Sequence, residues 1–437
     1  MPRKHLQRSL AFLAILLTFA ALTVSAQNGS TRPRRARSQV AKKPAETSSE
    51  KPSGTLLDVE PANAGASTSR RRNTSAPVTS SEAPLLNPTS SKPVATTSVT
   101  ATSDTSHAFA LLQQKQYAAA LKEARAITES NPNDSEGWKI AGFAEMNLKQ
   151  YLEASVDLQK ALDLQRAAKQ EDPFTADALA HAYYLSEKFD RALPLLVAAT
   201  TRPNTKPEAV FVYYRGVAEY KMGKVAEAEK TFNAVVKDNP KDAASLFFLG
   251  RIAFERNDFD AAIAALNRAT LADSRSVSAW NLLTLAYLQR ASTATTAEKA
   301  DADYLGAVRS GEGLTRVRTD AEANILFAQA LIAAKQYLRA ATVLERPAAA
   351  ADAPAAALYL LGVAQSRAKN FPKAIGALER AAVKTPADPN IFRELGYAYE
   401  ISKQYAKALT AYERGVSLAP GDADFQASAE RVRPYAK

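Results

Sequence analysis

Side chains able to carry acid–base or nucleophilic chemistry are few in this sequence. There is no cysteine, which excludes a thiolate nucleophile, a thiolate metal site and a disulfide. Of the three histidines, His5 lies among basic residues ahead of an apolar N-terminal run and His107 at the edge of the patterned region. His181 stands with Asp177 four residues before it and Tyr184 three after. On a helix those three share a face, as a proton-transfer site would require, but a lone imidazole beside a carboxylate is more commonly a hydrogen-bonded surface group. No metal-ligand spacing, phosphate-cradling glycine loop or nucleophile elbow occurs. Acidic residues such as Glu227 and Glu229 fall on polar helix faces. The residues point away from an enzyme, and no cofactor or metal is expected.

The other available chemistry is electrostatic. The 437 residues carry 56 basic and 45 acidic side chains, a net +11. Residues 1–26 hold 3 basic and no acidic groups, 27–103 hold 11 and 5, and 104–437 hold 42 and 40. Most of the basic excess therefore belongs to the segment containing "RPRRAR", "AKKP" and "SRRRN". A nucleic-acid-binding fold would carry its positive charge on the folded surface, so nucleic acid is not the expected partner. The basic clusters suit an anionic envelope polymer or lipid, or simply a solvated, extended tether.

Organisation follows composition. Arg3, Lys4 and Arg8 precede an apolar run from Leu10 to Val24, and "VSA" ends at Ala26. That pattern predicts a cleaved export signal over 1–26, the run being shorter than a membrane span of about 20 apolar residues. No transmembrane helix is expected after cleavage, and the expected location is the periplasm or cell envelope, or outside the cell. Residues 27–103, rich in Ser, Thr, Pro and Ala, cannot bury enough apolar surface to offset the entropy of ordering and are expected to form a disordered basic linker.

From residue 104 a fixed period sets in. Ala108, Gly142, Ala180, Gly216, Gly250, Thr284, Ala328, Gly362 and Gly396 form one column, with steps of 34, 38, 36, 34, 34, 44, 34 and 34 residues. A second column, 12 residues on, holds Ala120, Ala154, Ala192, Ala228, Ala262, Ala340, Ala374 and Ala408. Between them runs Tyr117, Tyr151, Phe189, Val225, Phe259, Tyr337, Phe371 and Tyr405. A period near 34 marks a stacked helix–turn–helix repeat. In one unit Leu246, Leu249, Gly250 and Ala253 line one helix face, "ERND" turns the chain, and Phe259, Ala262, Ile263, Leu266 and Ala269 line the facing helix. The small residues are expected to sit where the paired helices cross, with Phe259 and Leu266 filling the flanks. Turn segments such as "SNPNDSEGW" and "TPADPN" separate the units. The sixth unit inserts "QRASTATTAEKADAD" before its second helix, Pro194 is expected to kink its helix and Pro347 to end one early. Residues 421–437, with Phe425, Ala429 and Val432 in helical spacing, are expected to form a capping helix.

These columns resemble the tetratricopeptide repeat. The matching residues are Trp138, Ala141, Gly142, Tyr151, Ala154, Leu158 and Ala161 in one unit. In another they are Leu246, Leu249, Gly250, Phe259, Ala262, Leu266 and Ala269, and in the last Phe392, Leu395, Gly396, Tyr399, Tyr405, Ala408, Tyr412 and Pro420. The resemblance implies an all-α, right-handed α-solenoid of about nine repeats over 104–420, with Gly142, Ala154, Gly216, Ala228, Gly250, Ala262, Gly362, Ala374, Gly396 and Ala408 as repeat-packing residues.

The resemblance further implies that the first helices line a concave groove for partner segments. Residues three before, one after and four after the first column face it. Those read as partner contacts are Lys139, His181, Tyr184, Tyr213, Phe247, Arg251, Asn281, Tyr359, Arg393 and Tyr397, whereas Phe143, Met146, Tyr220 and Phe254 are assigned to packing between units. The paired Lys and Asn that clamp a peptide carboxylate in some family members are not reproduced, since Phe143 follows Lys139 and Leu285 follows Asn281 in the adjoining column. The expected function is a non-enzymatic scaffold binding other envelope or secretion-pathway proteins, for example in outer-membrane assembly, pilus biogenesis or polysaccharide export. The alternative is an envelope protein that binds cell-wall or glycan polymer through its basic tail and groove.

Overall fold

The computed structural model describes residues 105–437; the expected export segment, the linker and residue 104 lie outside the described residues. Nineteen α-helices and a closing 3-10 turn follow, with no strand among the described residues. None of these helices is long and apolar enough to cross a membrane. The described chain divides into two compact units, 105–252 and 253–437.

In the first unit the hairpins are α1–α2 (Ser106–Gln113, Tyr117–Ser130), α3–α4 (Ser135–Asn147, Tyr151–Ala167), α5–α6 (Pro173–Leu185, Phe189–Thr200) and α7–α8 (Ala209–Lys221, Val225–Asp238), followed by most of α9 (Ala243–Glu255). The second unit holds α10 (Phe259–Ala272), then α11–α12 (Val277–Ser292, Ala297–Val317), α13–α14 (Ala321–Ala333, Tyr337–Ala349), α15–α16 (Ala355–Arg367, Phe371–Lys384) and α17–α18 (Pro389–Ile401, Tyr405–Leu418), and lastly α19 (Ala423–Val432). Within each unit consecutive helices pack on one another and successive first helices touch, the contacts of α9 with α7 and α8 being made by the Phe248 ring on Tyr213 and Phe232.

The aromatic column marks starts of second helices: Tyr117, Tyr151, Phe189, Val225, Phe259, Tyr337, Phe371 and Tyr405 are each a first residue. Two residues earlier, the first helix ends in a left-handed position occupied by Lys115, Lys149, Glu187, Gly223, Asn257, Lys335, Lys369 and Lys403. There the amide of the next residue reaches back five positions, as Gln150 N to Glu145 O and Gln404 N to Tyr399 O, both 2.9 Å. This is the hydrogen-bond pattern that closes helices with a left-handed residue, usually glycine. Five first helices open on a side-chain cap, with Asp134, Asp172, Ser276, Asp320 and Asp388 each accepting a backbone N–H of their own first turn.

The crossings refine the expected packing. A Cβ added to Gly142 would stand 2.5 Å from Leu158 Cγ, and one on Gly216 2.7 Å from Phe232 Cε1. Gly362 and Gly396 likewise abut Leu378 and Tyr412. Each glycine is thus a hole for a large residue sixteen positions on, the column that holds Leu266 in the unit first described, and that residue fills the crossing itself rather than its flank. The alanine column is wholly buried at Ala154, Ala228, Ala262, Ala374 and Ala408 alike, and Gly250 is buried too.

The sixth hairpin resolves its insertion by lengthening. α12 runs 21 residues against 14 for α16 and α18. Thr284 Oγ1 meets Ser310 Oγ at 3.0 Å, twenty-six residues on instead of sixteen, and those ten extra residues account for the 44-residue step. Small residues here move to the second helix, where Gly306 faces the Tyr287 ring and Gly313 the Trp280 ring. Pro194 sits inside α6, and Pro347 does not end its helix, which continues to Ala349. At the C-terminus Phe425, Ala429 and Val432 are buried, Phe425 against Gly415.

Several buried polar groups are matched across helices, as Thr231 with Glu219 and Thr284 with Ser310. Arg125 reaches Glu145 at 2.6 Å and Asp157 at 2.8 Å, joining α2, α3 and α4. Both carboxylates are buried, and burial together with the Asp157 charge pushes Glu145 up to about 7 against the opposing pull of Arg125.

Candidate functional site

In the unit 105–252 the first helices α3, α5, α7 and α9 carry six of the expected contact residues. Lys139 is held between Glu136 at 2.8 Å and Asp172 at 3.2 Å. It joins two successive first helices, because Asp172 also caps α5. Asp177 forms a two-pronged pair with Arg202.

His181 and Tyr184 lie in the core, not on an open face. Both are buried. His181 Nε2 stands 3.2 Å from Tyr214 Oη, and burial lowers the imidazole to about 4, leaving it neutral at ordinary pH. Tyr184 stacks on Tyr214 with ring centres 4.0 Å apart. Their side chains are consumed in packing α5 on α7, which corrects their assignment as partner contacts.

Tyr213, Phe247 and Arg251 are half-buried and form the front of an aromatic cluster. Tyr213 leans on Tyr214, Phe232 and Phe248 at 6.1, 6.3 and 6.1 Å. Phe247 meets Phe248 edge-on at 5.5 Å, and Phe248 stacks on Phe232 at 4.9 Å. Arg251 lies 5.2 Å over the Tyr220 ring. The back rank, Tyr214, Phe232 and Phe248, is buried. Rings fixed from behind and open in front offer apolar area without the entropy cost of ordering a mobile side chain.

In the unit 253–437 Asn281 and Tyr359 are half-buried on α11 and α15. Burial, with the charges of Glu394 and Asp388, pushes the Tyr359 hydroxyl well above the usual phenol range, so it stays a donor. Arg393 is taken up internally: it reaches Asp422 at 2.6 Å and lies 4.4 Å over the Phe425 ring, tying α17 to α19. Tyr397 is exposed, flanked by Phe371 at 6.3 Å and the Arg367 guanidinium at 5.8 Å. Arg367 in turn makes paired bonds of 3.0 and 2.8 Å to buried Glu394.

The column two residues before the first small-residue column carries the backing and was not singled out from the sequence. From the second hairpin onward it comprises Ile140, Ala178, Tyr214, Phe248, Leu282, Leu326, Leu360 and Glu394, all buried, whereas Ser106 in the first hairpin is exposed. Its signal was available in its apolar character, which from the second hairpin onward only Glu394 breaks. Among the described residues no three His, Asp or Glu side chains converge as a metal site.

None of the curated proteins compared matches the chain. A solved tetratricopeptide repeat protein from Parabacteroides merdae is similar at 12% identity and a TM-score of 0.38, covering 60% of this chain and 98% of its own. YrrB, described as a TPR protein with an unusual peptide-binding site, is similar at 16% identity and a TM-score of 0.37, covering 46% and 97%. A protein from Thermus thermophilus is similar at 18% identity and a TM-score of 0.24, covering 52% and 100%. The family model for the tetratricopeptide repeat matches residues 178–243, 213–274, 249–311, 325–390 and 367–423. Together these matches span more than half of the chain, and the protein belongs to the tetratricopeptide repeat family.

Proposed function

We propose that this protein is an exported scaffold that gathers other proteins of a bacterial cell envelope, holding their segments against the first helices of its hairpins. Tetratricopeptide repeats are generally protein-interaction modules and not catalysts, and the observation that carries the reading here is the cluster around Tyr213, Phe247 and Arg251. Aromatic and arginine side chains backed by a rigid core are the usual anchors of a protein interface. In the unit 253–437 the corresponding contacts are Asn281, Tyr359 and Tyr397. His181, Tyr184, Lys139 and Arg393 act behind these faces by fixing the helices that present them. Export rests on the sequence of residues 1–26, which precede the described residues.

The test is photo-crosslinking in intact cells from a benzoylphenylalanine placed at Tyr213 or Phe247, with exposed Val156 on α4 as the control site. The reading expects discrete polypeptide adducts from the first two positions and not from the third. Adducts consisting of glycan would favour the polymer-binding alternative, and identical patterns from all three positions would refute a specific face.

A further inference from the structure

The turns that close the last three complete hairpins of the unit 253–437 break a local rule in the same way. Lys335, Lys369 and Lys403 occupy left-handed backbone, with φ of 59, 64 and 58°, where glycine is the residue the backbone favours. Four residues after each comes a second cation, Arg339, Lys373 and Lys407. All six are exposed. Lys369, Lys373 and Lys403 have no carboxylate within ion-pair distance among the described residues, whereas Lys335 and Arg339 reach Asp301 and Glu312 only at 3.6 and 3.9 Å. Because α11, α13, α15 and α17 touch in sequence, equivalent turns recur about every 10 Å, so the cations form a row along one edge. Side chains that contradict backbone preference three times over are better explained by their charge than by the turn.

Apolar groups stand out along the same edge. Leu338, between Lys335 and Arg339, is 72% exposed, and Ile401, two residues before Lys403, is 48% exposed. Tyr435, 65% exposed, rests on Tyr405 with ring centres 5.3 Å apart. Singly, exposed apolar side chains need no explanation. Interspersed with a row of cations, they give an edge that is basic and apolar at once.

We propose that this edge docks the protein peripherally on an anionic lipid surface, with the cations at the headgroups and Leu338 and Tyr435 entering the interfacial layer. Five of the six cations are lysines, compact charges that need no fixed partner geometry, whereas phosphate recognition on a nucleic acid favours the forked guanidinium of arginine. An acidic polymer in water would match the charge but leave Leu338, Ile401 and Tyr435 without a role. The lipid interface accounts for both, through attraction of basic groups to anionic headgroups and burial of leucine and tyrosine at the boundary. The inference stands apart from the first-helix faces, which lie on other residues.

The test compares binding of the full chain to phosphatidylcholine vesicles with and without phosphatidylglycerol. One variant combines Lys369→Glu, Lys373→Glu and Lys403→Glu. A control makes the same net charge change at exposed sites off this edge, Arg309→Glu, Arg346→Glu and Lys384→Glu, and circular dichroism melts check that both fold. Removing a cation from an anionic surface is worth roughly fivefold in partitioning, so loss of the three cations alone is expected to weaken binding to anionic vesicles about 100-fold, and the charge reversal in the edge variant at least that much, with the control affected far less. Leu338→Ser with Tyr435→Ser should weaken the binding that persists at high salt. Equal losses in the two charge variants, or wild-type binding no stronger to anionic than to neutral vesicles, would overturn the proposal. So would an edge variant that keeps its lipid binding but loses binding to polyglutamate or duplex DNA.

Discussion

One substitution made twice in a single hairpin should have opposite effects. Gly362 lies in α15 and Gly376 in α16, the helix paired with it. A Cβ on Gly362 would stand 2.7 Å from Leu378 Cδ2, well inside the 3.4–4 Å of ordinary contact, and Leu378 is wholly buried. A Cβ on Gly376 would meet nothing within 4 Å, and the residue is exposed. Gly362→Ala should therefore cost about 1–3 kcal/mol through overpacking. Gly376→Ala should gain about 1 kcal/mol, because alanine restricts the unfolded chain and favours the helix. A repeat array need not unfold in one step, so the readout is amide hydrogen exchange over residues 355–384, with urea denaturation in support. Leu378→Ala alone should cost about 2–5 kcal/mol, and adding Gly362→Ala to it should cost less than the sum, since the hole and its occupant are one interaction. If both glycine substitutions shift protection in the same direction, or Gly362→Ala is neutral, the crossing does not work by the hole described here.

The buried carboxylates around Arg125 predict a pH dependence. Glu145 holds its proton more tightly in the fold, at about 7 against an ordinary 4.5, so its contribution is fully present below about pH 4.5, declines as pH rises towards 7 and is lost above it. Glu145→Gln should abolish that decline, and above pH 7 it should protect residues 117–167 by about 1–3 kcal/mol more than the wild type; parallel pH profiles for the two proteins would refute the reading. Burial of neutral His181 works in the other direction: its contribution is present above about 6.5 and lost as pH falls towards 4, and His181→Phe should flatten the loss of protection in α5 and α7 over that window. At the turns, Lys149→Gly should stabilise by up to about 1 kcal/mol by relieving a left-handed side chain. Lys160→Gly, in the exposed middle of α4, should destabilise by about 1 kcal/mol; thermal melts that rank these two in the opposite order would contradict the turn assignment.

The hairpins were legible in the sequence because a period of 34 residues aligns small, aromatic and alanine positions that each have one structural use. Tyr151, Phe259 and Tyr405 begin helices, Ala154 and Ala408 vanish into the core, and Gly142 and Gly396 lie at crossings. The partner of each glycine was harder to read. Small residues in two columns suggest small-on-small contact, yet Leu158 and Tyr412, one helical turn past the alanines, are the knobs that enter the holes. In the sixth hairpin the rule inverts, since Thr284 is tolerated only because Ser310, Gly306 and Gly313 open space from the opposite helix. The candidate site was legible as columns but not as exposure. His181 and Lys139 occupy facing positions, and only contacts with Tyr214 and Asp172, thirty-three residues on in each case, show that they are consumed within the wall. Tyr213 and Phe247 differ from them by having their own support behind and an open side in front.

The most direct measurement is the affinity of the full chain for a polypeptide captured by crosslinking from Tyr213 or Phe247, determined by calorimetry for the wild type and for Tyr213→Ala with Phe247→Ala. Anchors backed by a buried rank are worth about 2 kcal/mol or more each, so the double variant should bind at least about 30-fold more weakly while its helix content and melting stay close to those of the wild type. An unchanged dissociation constant in a folded double variant would contradict the claim that the first-helix face around these rings receives the partner.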